Sequence, residues 1–141
     1  MKHWFLDTNV LIDFLTGHQP FATAAAALFE LGRQGKVRLY AASLSFATVY
    51  YVVRQAESHE RTLTLLTQLT ALTQVLAVDE AIVKAAITTG FRDYEDALQY
   101  LTARTEPRID TIITRNAQDF RAGSLLTLAP PDAVTMLLSG S

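Results

Sequence analysis

The stretch Lys2-His3-Trp4-Phe5-Leu6-Asp7-Thr8-Asn9-Val10-Leu11-Ile12-Asp13-Phe14-Leu15 holds two apolar runs separated by a polar triplet. Residues 2–6 are short and apolar-rich, as a strand buried on both faces requires. Asp7-Thr8-Asn9 offers side chains of the types that cap helices, and Val10, Leu11, Phe14 and Leu15 then recur at helical spacing. The stretch predicts strand, cap and helix, the opening of an α/β unit. Asp13 falls on the polar side of that helix and reads as a solvated residue.

The same alternation continues down the chain. Pro20 suits the first turn of a helix with Phe21, Ala24, Ala25, Leu28 and Leu31 on its apolar face, ended by Gly32 and Gly35. Residues 37–41 read as a second strand. Ser43 or Ser45 can cap the next helix, which carries Phe46, Val49, Tyr50 and Val53; its β-branched and aromatic content leaves a strand as the rival. Tyr50 and Tyr51, embedded in this stripe, read as core. Leu65, Leu66, Leu69 and Leu72 mark a threonine-rich helix that packing must hold. Residues 75–78 form a third strand candidate, Asp79 caps a helix through Ile82 and Ala86, and Asp93 opens another containing Ala97, Leu98 and Leu101. A fourth strand over 109–114, a short segment at 125–128 and a helix after Pro130-Pro131 complete the pattern. Strands alternating with helices predict one α/β domain over residues 1–141, a three-layer sandwich whose parallel four- to five-stranded sheet is flanked by helices.

Composition narrows the chemistry. Half of the 141 residues are hydrophobic, so a chain of this length builds an ordinary core without disulfides or structural metal. The absence of cysteine excludes thiolate-ligated zinc, iron–sulfur clusters and thiol nucleophiles. Twelve Lys and Arg against fourteen Asp and Glu give a net charge of −2, so any nucleic-acid contact is local rather than spread over a basic face. No signal peptide is legible, and the uncharged stretch 62–78 is too rich in Thr and Gln to span a bilayer. The expectation is a soluble cytoplasmic protein with no membrane partner.

In parallel α/β sheets, ligands bind beyond the carboxyl ends of the strands, where the strand order reverses. Asp7 lies at one such end and Thr114-Arg115-Asn116 at another, while Asp93-Tyr94-Glu95-Asp96 opens the helix leading into the fourth strand. Carboxylates gathered in one crevice raise one another's pKa unless a cation neutralises them. Mg²⁺ or Mn²⁺ suits a few carboxylates plus waters, and such an ion activates water and stabilises the charge that develops in phosphodiester cleavage.

Three blocks, Phe5-Leu6-Asp7-Thr8-Asn9-Val10-Leu11, Asp93-Tyr94-Glu95-Asp96-Ala97-Leu98-Gln99 and Ile112-Ile113-Thr114-Arg115-Asn116-Ala117-Gln118-Asp119-Phe120, together resemble PIN domains over almost the whole chain. The resemblance implies a metal-dependent ribonuclease of the VapC toxin type, often a homodimer neutralised by an antitoxin protein. Carried over residue by residue, it implies Asp7, Asp96 and Asp119 as ligands of Mg²⁺ or Mn²⁺. Asn116 joins them as a catalytic residue. Thr8, Asn9 and Thr114 read as groups that orient the ligands, and Arg115, next to the site, reads as an RNA phosphate contact, with Arg92, Arg54 and Arg121 as weaker candidates. The family's usual glutamate on the helix after the second strand is absent: Thr48 stands there, and no acid lies between Glu30 and Glu57.

Each of these residues also has a plainer role. Asp7 can be an N-cap, as can Asp93, whereas Glu95 and Asp96 suit the positive end of a helix. Asn116 and Asp119 suit turns. Asp93 or Glu95 can equally supply the charge missing at position 48. Two further functions compete with the nuclease. One is a PIN-like module that binds RNA or protein without cutting. The other is a receiver-like phosphoacceptor, which expects a late lysine that this chain lacks after Lys84.

Overall fold

The computed structural model describes residues 1–140. Strand β1 (Lys2–Leu6) leads into α1 (Thr8–Thr16) and α2 (Phe21–Arg33), then β2 (Val37–Ala42), α3 (Ser43–Arg54) and α4 (His59–Leu72). After β3 (Gln74–Leu76) come α5 (Glu80–Ala86) and α6 (Tyr94–Ala103), β4 (Thr111–Ile113), a 3₁₀ turn (Ala117–Phe120), β5 (Leu126–Leu128) and α7 (Pro130–Ser139). The five strands are parallel and run in the order β3-β2-β1-β4-β5.

Central β1 explains the layering. Its last three residues are buried, Trp4 and Leu6 on one face and Phe5 on the other, because successive strand side chains alternate. Trp4 and Leu6 join Leu11, Leu28, Val49, Leu69 and Leu137 from α1, α2, α3, α4 and α7. Phe5 meets Tyr40, Tyr100, Ile112 and Phe120 on the α6 side. Each large side chain buried here stabilises the fold by about 1.5–3 kcal/mol. Gly17 ends α1 at φ 69°, a left-handed conformation that glycine adopts without a Cβ penalty, and its N–H reaches Asp13 O.

The structure corrects several local readings. Residues 43–54 are helical, so the strand alternative falls; tertiary packing of Val49 and Val53 outweighs their β preference. Neither Ser43 nor Ser45 caps α3, since Ser43 Oγ accepts from Val78 N and Ser45 Oγ bonds Thr8 Oγ1. Helix α2 continues through Gly32, and β3 and β4 are shorter than the apolar runs suggest. Tyr51 is 70% exposed rather than core. Asp13 is not solvated: it is 2% exposed and paired with Arg115.

The chain passes from β1 to β2 and β3 on one side, then returns to place β4 on the other. Strand order therefore reverses between β1 and β4, where a ligand crevice is expected. Leu6 pairs with Ile113, so Asp7 and Thr114 emerge side by side at the carboxyl ends of the two strands.

Candidate metal centre

Asp7 occupies the N-cap position of α1, yet its side chain makes no capping hydrogen bond. The carboxylate turns to the site instead. Thr114 Oγ1 donates to Oδ2 at 2.8 Å and Gln99 Nε2 donates to Oδ1 at 3.1 Å. Burial pushes the Asp7 pKa up, and the Thr114 and Gln99 bonds pull the other way.

Gln99 is fully buried and also accepts from Thr8 N at 3.0 Å, locking the start of α1 to α6. Its only sequence signal is its place three residues after Asp96, on the same side of the helix. Ser45 likewise holds Thr8 through a hydroxyl pair at 2.6 Å. Thr8, which directly follows Asp7, is thus held by two partners, Gln99 and Ser45. Asn9 is half-buried beside it.

The first turn of α6 supplies most of the charge. Asp93 caps the helix, accepting from Asp96 N at 3.0 Å, as its position predicts. Asp93, Glu95 and Asp96 each offer a carboxylate oxygen within 4.8 Å of the others. Burial, with Asp93, Asp7, Asp119 and Glu95 nearby, pushes Asp96 up to about 7. Burial also raises Glu95, with Asp7 and Asp93 adding to the effect, and Thr48 Oγ1 partly offsets it by donating to Glu95 Oε2 at 3.4 Å. Asp7 after β1, Asp93 and Glu95 at the start of α6, and Asp119 thus all act electrostatically on Asp96.

Asp119 lies in the 3₁₀ turn and lines a crevice of about 440 Å³ with Asp93 and Asp96. Asn116 heads that turn, half-buried; its N–H donates to Thr114 Oγ1 at 3.0 Å, so one hydroxyl ties the turn to Asp7. Arg115 is differently placed from the phosphate contact expected of it. Its Nε donates to Asp13 Oδ2 at 2.9 Å and its guanidinium lies 4.2 Å from the centre of the Phe21 ring. His18 Nδ1 adds a contact of 3.0 Å to Asp13 Oδ1. Buried Asp13 recruits the arginine, which fastens the Thr114–Asn116 segment to α1 and α2.

The donor set fits a hard divalent cation. Several carboxylates share a partly buried site, burial and mutual repulsion raise the pKa of Asp7, Glu95 and Asp96, and no histidine or cysteine joins the cluster among the described residues. A model of the PIN domain matches residues 3–118. The chain belongs to the PIN-domain family. No curated protein sequence matches it. Among solved structures, this PIN domain is similar to VapBC2 from Rickettsia felis bound to a promoter DNA fragment. The TM-score is 0.66 at 16% identity, covering 90% of this chain and 98% of that one. It is also similar to VapC20 from Mycobacterium tuberculosis, a toxin that cleaves the sarcin–ricin loop. There the TM-score is 0.64 at 11% identity, covering 87% and 96%. The five-stranded parallel PIN fold is thus shared with VapC toxins. Among the described residues, no helix is long and apolar enough to cross a membrane.

Proposed function

We propose that this PIN domain is a divalent-metal-dependent endoribonuclease acting as the toxin of a type II toxin–antitoxin pair. The observation that supports the reading is the cluster of Asp93, Glu95 and Asp96 carboxylates within 4.8 Å of one another, beside a crevice that Asp93 and Asp96 line with Asp119, with Asp96 raised to about 7 by burial and then by Asp93, Asp7, Asp119 and Glu95. Asp7, Asp96 and Asp119 hold Mg²⁺ or Mn²⁺, directly or through water, and Glu95 supplies the charge that Thr48 does not. When bound, the ion activates water and neutralises charge developing on the phosphodiester.

The chain's own residues do the positioning. Thr114 and Gln99 fix the Asp7 carboxylate so that it loses little freedom on binding. Thr8 and Asn9 hold the turn that carries it. Asn116, whose N–H is tied to the same hydroxyl, would orient the attacking water with its side-chain amide. RNA is the substrate class, and an antitoxin protein and a homodimer complete the proposed assembly of a single cytoplasmic PIN unit. The sarcin–ricin-loop-cleaving neighbour lends support through the shared fold.

The test is cleavage of single-stranded RNA in Mn²⁺ by the wild type and Asp96→Asn. The reading expects cleavage that disappears with EDTA and in the variant; cleavage indifferent to both contradicts it. Thr48 favours a second reading, a module that binds RNA or protein without cutting. Failure to bind Mn²⁺ at micromolar or Mg²⁺ at millimolar concentration selects it.

A further inference from the structure

The turns that deliver the acids also deliver two cations. Arg92 immediately precedes the cap residue Asp93, and Arg121 follows the 3₁₀ turn that carries Asp119. Both side chains are exposed and line the same crevice of about 440 Å³ as Asp93, Asp96 and Asp119. Although carboxylates surround them, neither guanidinium forms an ion pair within 4.0 Å among the described residues. Arg115, the arginine closest in sequence to the site turn, is held by Asp13 and Phe21. The donors of Arg92 and Arg121 stay available for an anion that enters the crevice.

We propose that Arg92 and Arg121 form a phosphodiester clamp on the rim of the acidic crevice, holding the backbone of single-stranded RNA beside the carboxylate cluster. The inference rests on the nuclease reading above and names the residues by which that site takes its substrate. A guanidinium presents a planar fork of N–H donors that matches two phosphate oxygens at once. Two cations at the rim offset the repulsion that the carboxylates exert on a polyanion. With a net charge of −2 the chain has no excess of basic residues for the long phosphate track of a duplex, whereas a single strand bends into a local site.

The experiment is fluorescence anisotropy of a short labelled single-stranded RNA in Ca²⁺ over a salt series. The proteins are the whole wild-type chain, Arg92→Gln, Arg121→Gln and the double variant, each checked by thermal melting. Each substitution is expected to weaken binding roughly tenfold. Each also lowers the slope of log affinity against log salt by about 0.7. Arg38→Gln, near the amino end of β2, changes neither. Wild-type affinity and slope in the double variant overturn the clamp and leave the nuclease reading standing. Arginine-dependent binding without cleavage in Mn²⁺ supports the clamp and removes the nuclease reading. Absence of wild-type RNA binding overturns the clamp, as does arginine-dependent binding of polyglutamate in place of RNA, which points to an acidic peptide.

Discussion

Thr48 Oγ1 donates a hydrogen bond of 3.4 Å to Glu95 Oε2, joining α3 to the first turn of α6. At the position where PIN resemblance expects a glutamate, a hydroxyl holds a carboxylate from another helix. Glu95→Gln keeps the shape and removes the charge, so Mn²⁺ affinity measured by calorimetry falls roughly 10- to 100-fold. Adding Thr48→Glu to Glu95→Gln restores most of that loss, because the charge returns from the facing helix. Wild-type Mn²⁺ affinity in Glu95→Gln contradicts the assignment.

Proton linkage follows from Asp96. Its folded value of about 7 lies above the ordinary 3.8, so the folded chain holds this proton more tightly than the unfolded chain does. The stability that Asp96 contributes is full below 3.8 and is lost as pH rises through about 7. A bound ion needs the charged form, so Mn²⁺ affinity rises across the same upper range and binding releases protons. Titrations in two buffers of different ionisation enthalpy at pH 6 and pH 8 measure that release. A proton count of zero at pH 6 contradicts the linkage.

Asp13 is 2% exposed, and its carboxylate pairs with Arg115 at 2.9 Å. Asp13→Ala leaves the partly exposed arginine without its partner and is expected to cost about 1–3 kcal/mol in urea unfolding. Replacing both partners, as in Asp13→Leu with Arg115→Met, costs less than Asp13→Ala alone, because no unpaired charge is left. The Asp13→Ala variant also loosens the Thr114–Asn116 segment, so its Mn²⁺ affinity drops. A double replacement that is more damaging than Asp13→Ala runs against this account.

Gly123 lies against the Tyr100 ring, where an added Cβ meets Cε1 at 2.2 Å. Tyr100 cannot easily yield, because its hydroxyl accepts from Ser124 N at 2.8 Å and from Arg104 Nη1 at 3.0 Å. Gly123→Ala is expected to destabilise by about 1–3 kcal/mol through overpacking. Tyr100→Ala in the same background removes the clash, so adding Gly123→Ala to Tyr100→Ala costs little. An unchanged melting temperature in Gly123→Ala refutes the close contact.

Local chemistry explains what was legible in the sequence. Asp79 and Asp93 precede apolar-periodic runs, and both cap their helices by accepting from a backbone N–H. The alternation of short apolar runs with helical stripes yields the parallel sheet, whose inner strands β1, β2 and β4 are largely buried while the edge strands β3 and β5 stay partly exposed. The burial of Asp13 is not legible in the helical pattern because its partner lies 102 residues away, a pairing that no helical period encodes. The same long range hides Gln99, whose bond to Asp7 spans 92 residues. Thr114 and Asn116 carry motif signals, whereas the bonds that relate them to Asp7 emerge only when β1 and β4 stand side by side.

The most direct test is a crystal structure of the protein soaked in Mn²⁺, read by anomalous scattering at the manganese edge. The account predicts one strong peak in the crevice, ligated directly or through water by Asp7, Asp96 and Asp119 with Glu95 in the same sphere. A peak elsewhere on the chain, or none at saturating Mn²⁺, contradicts it.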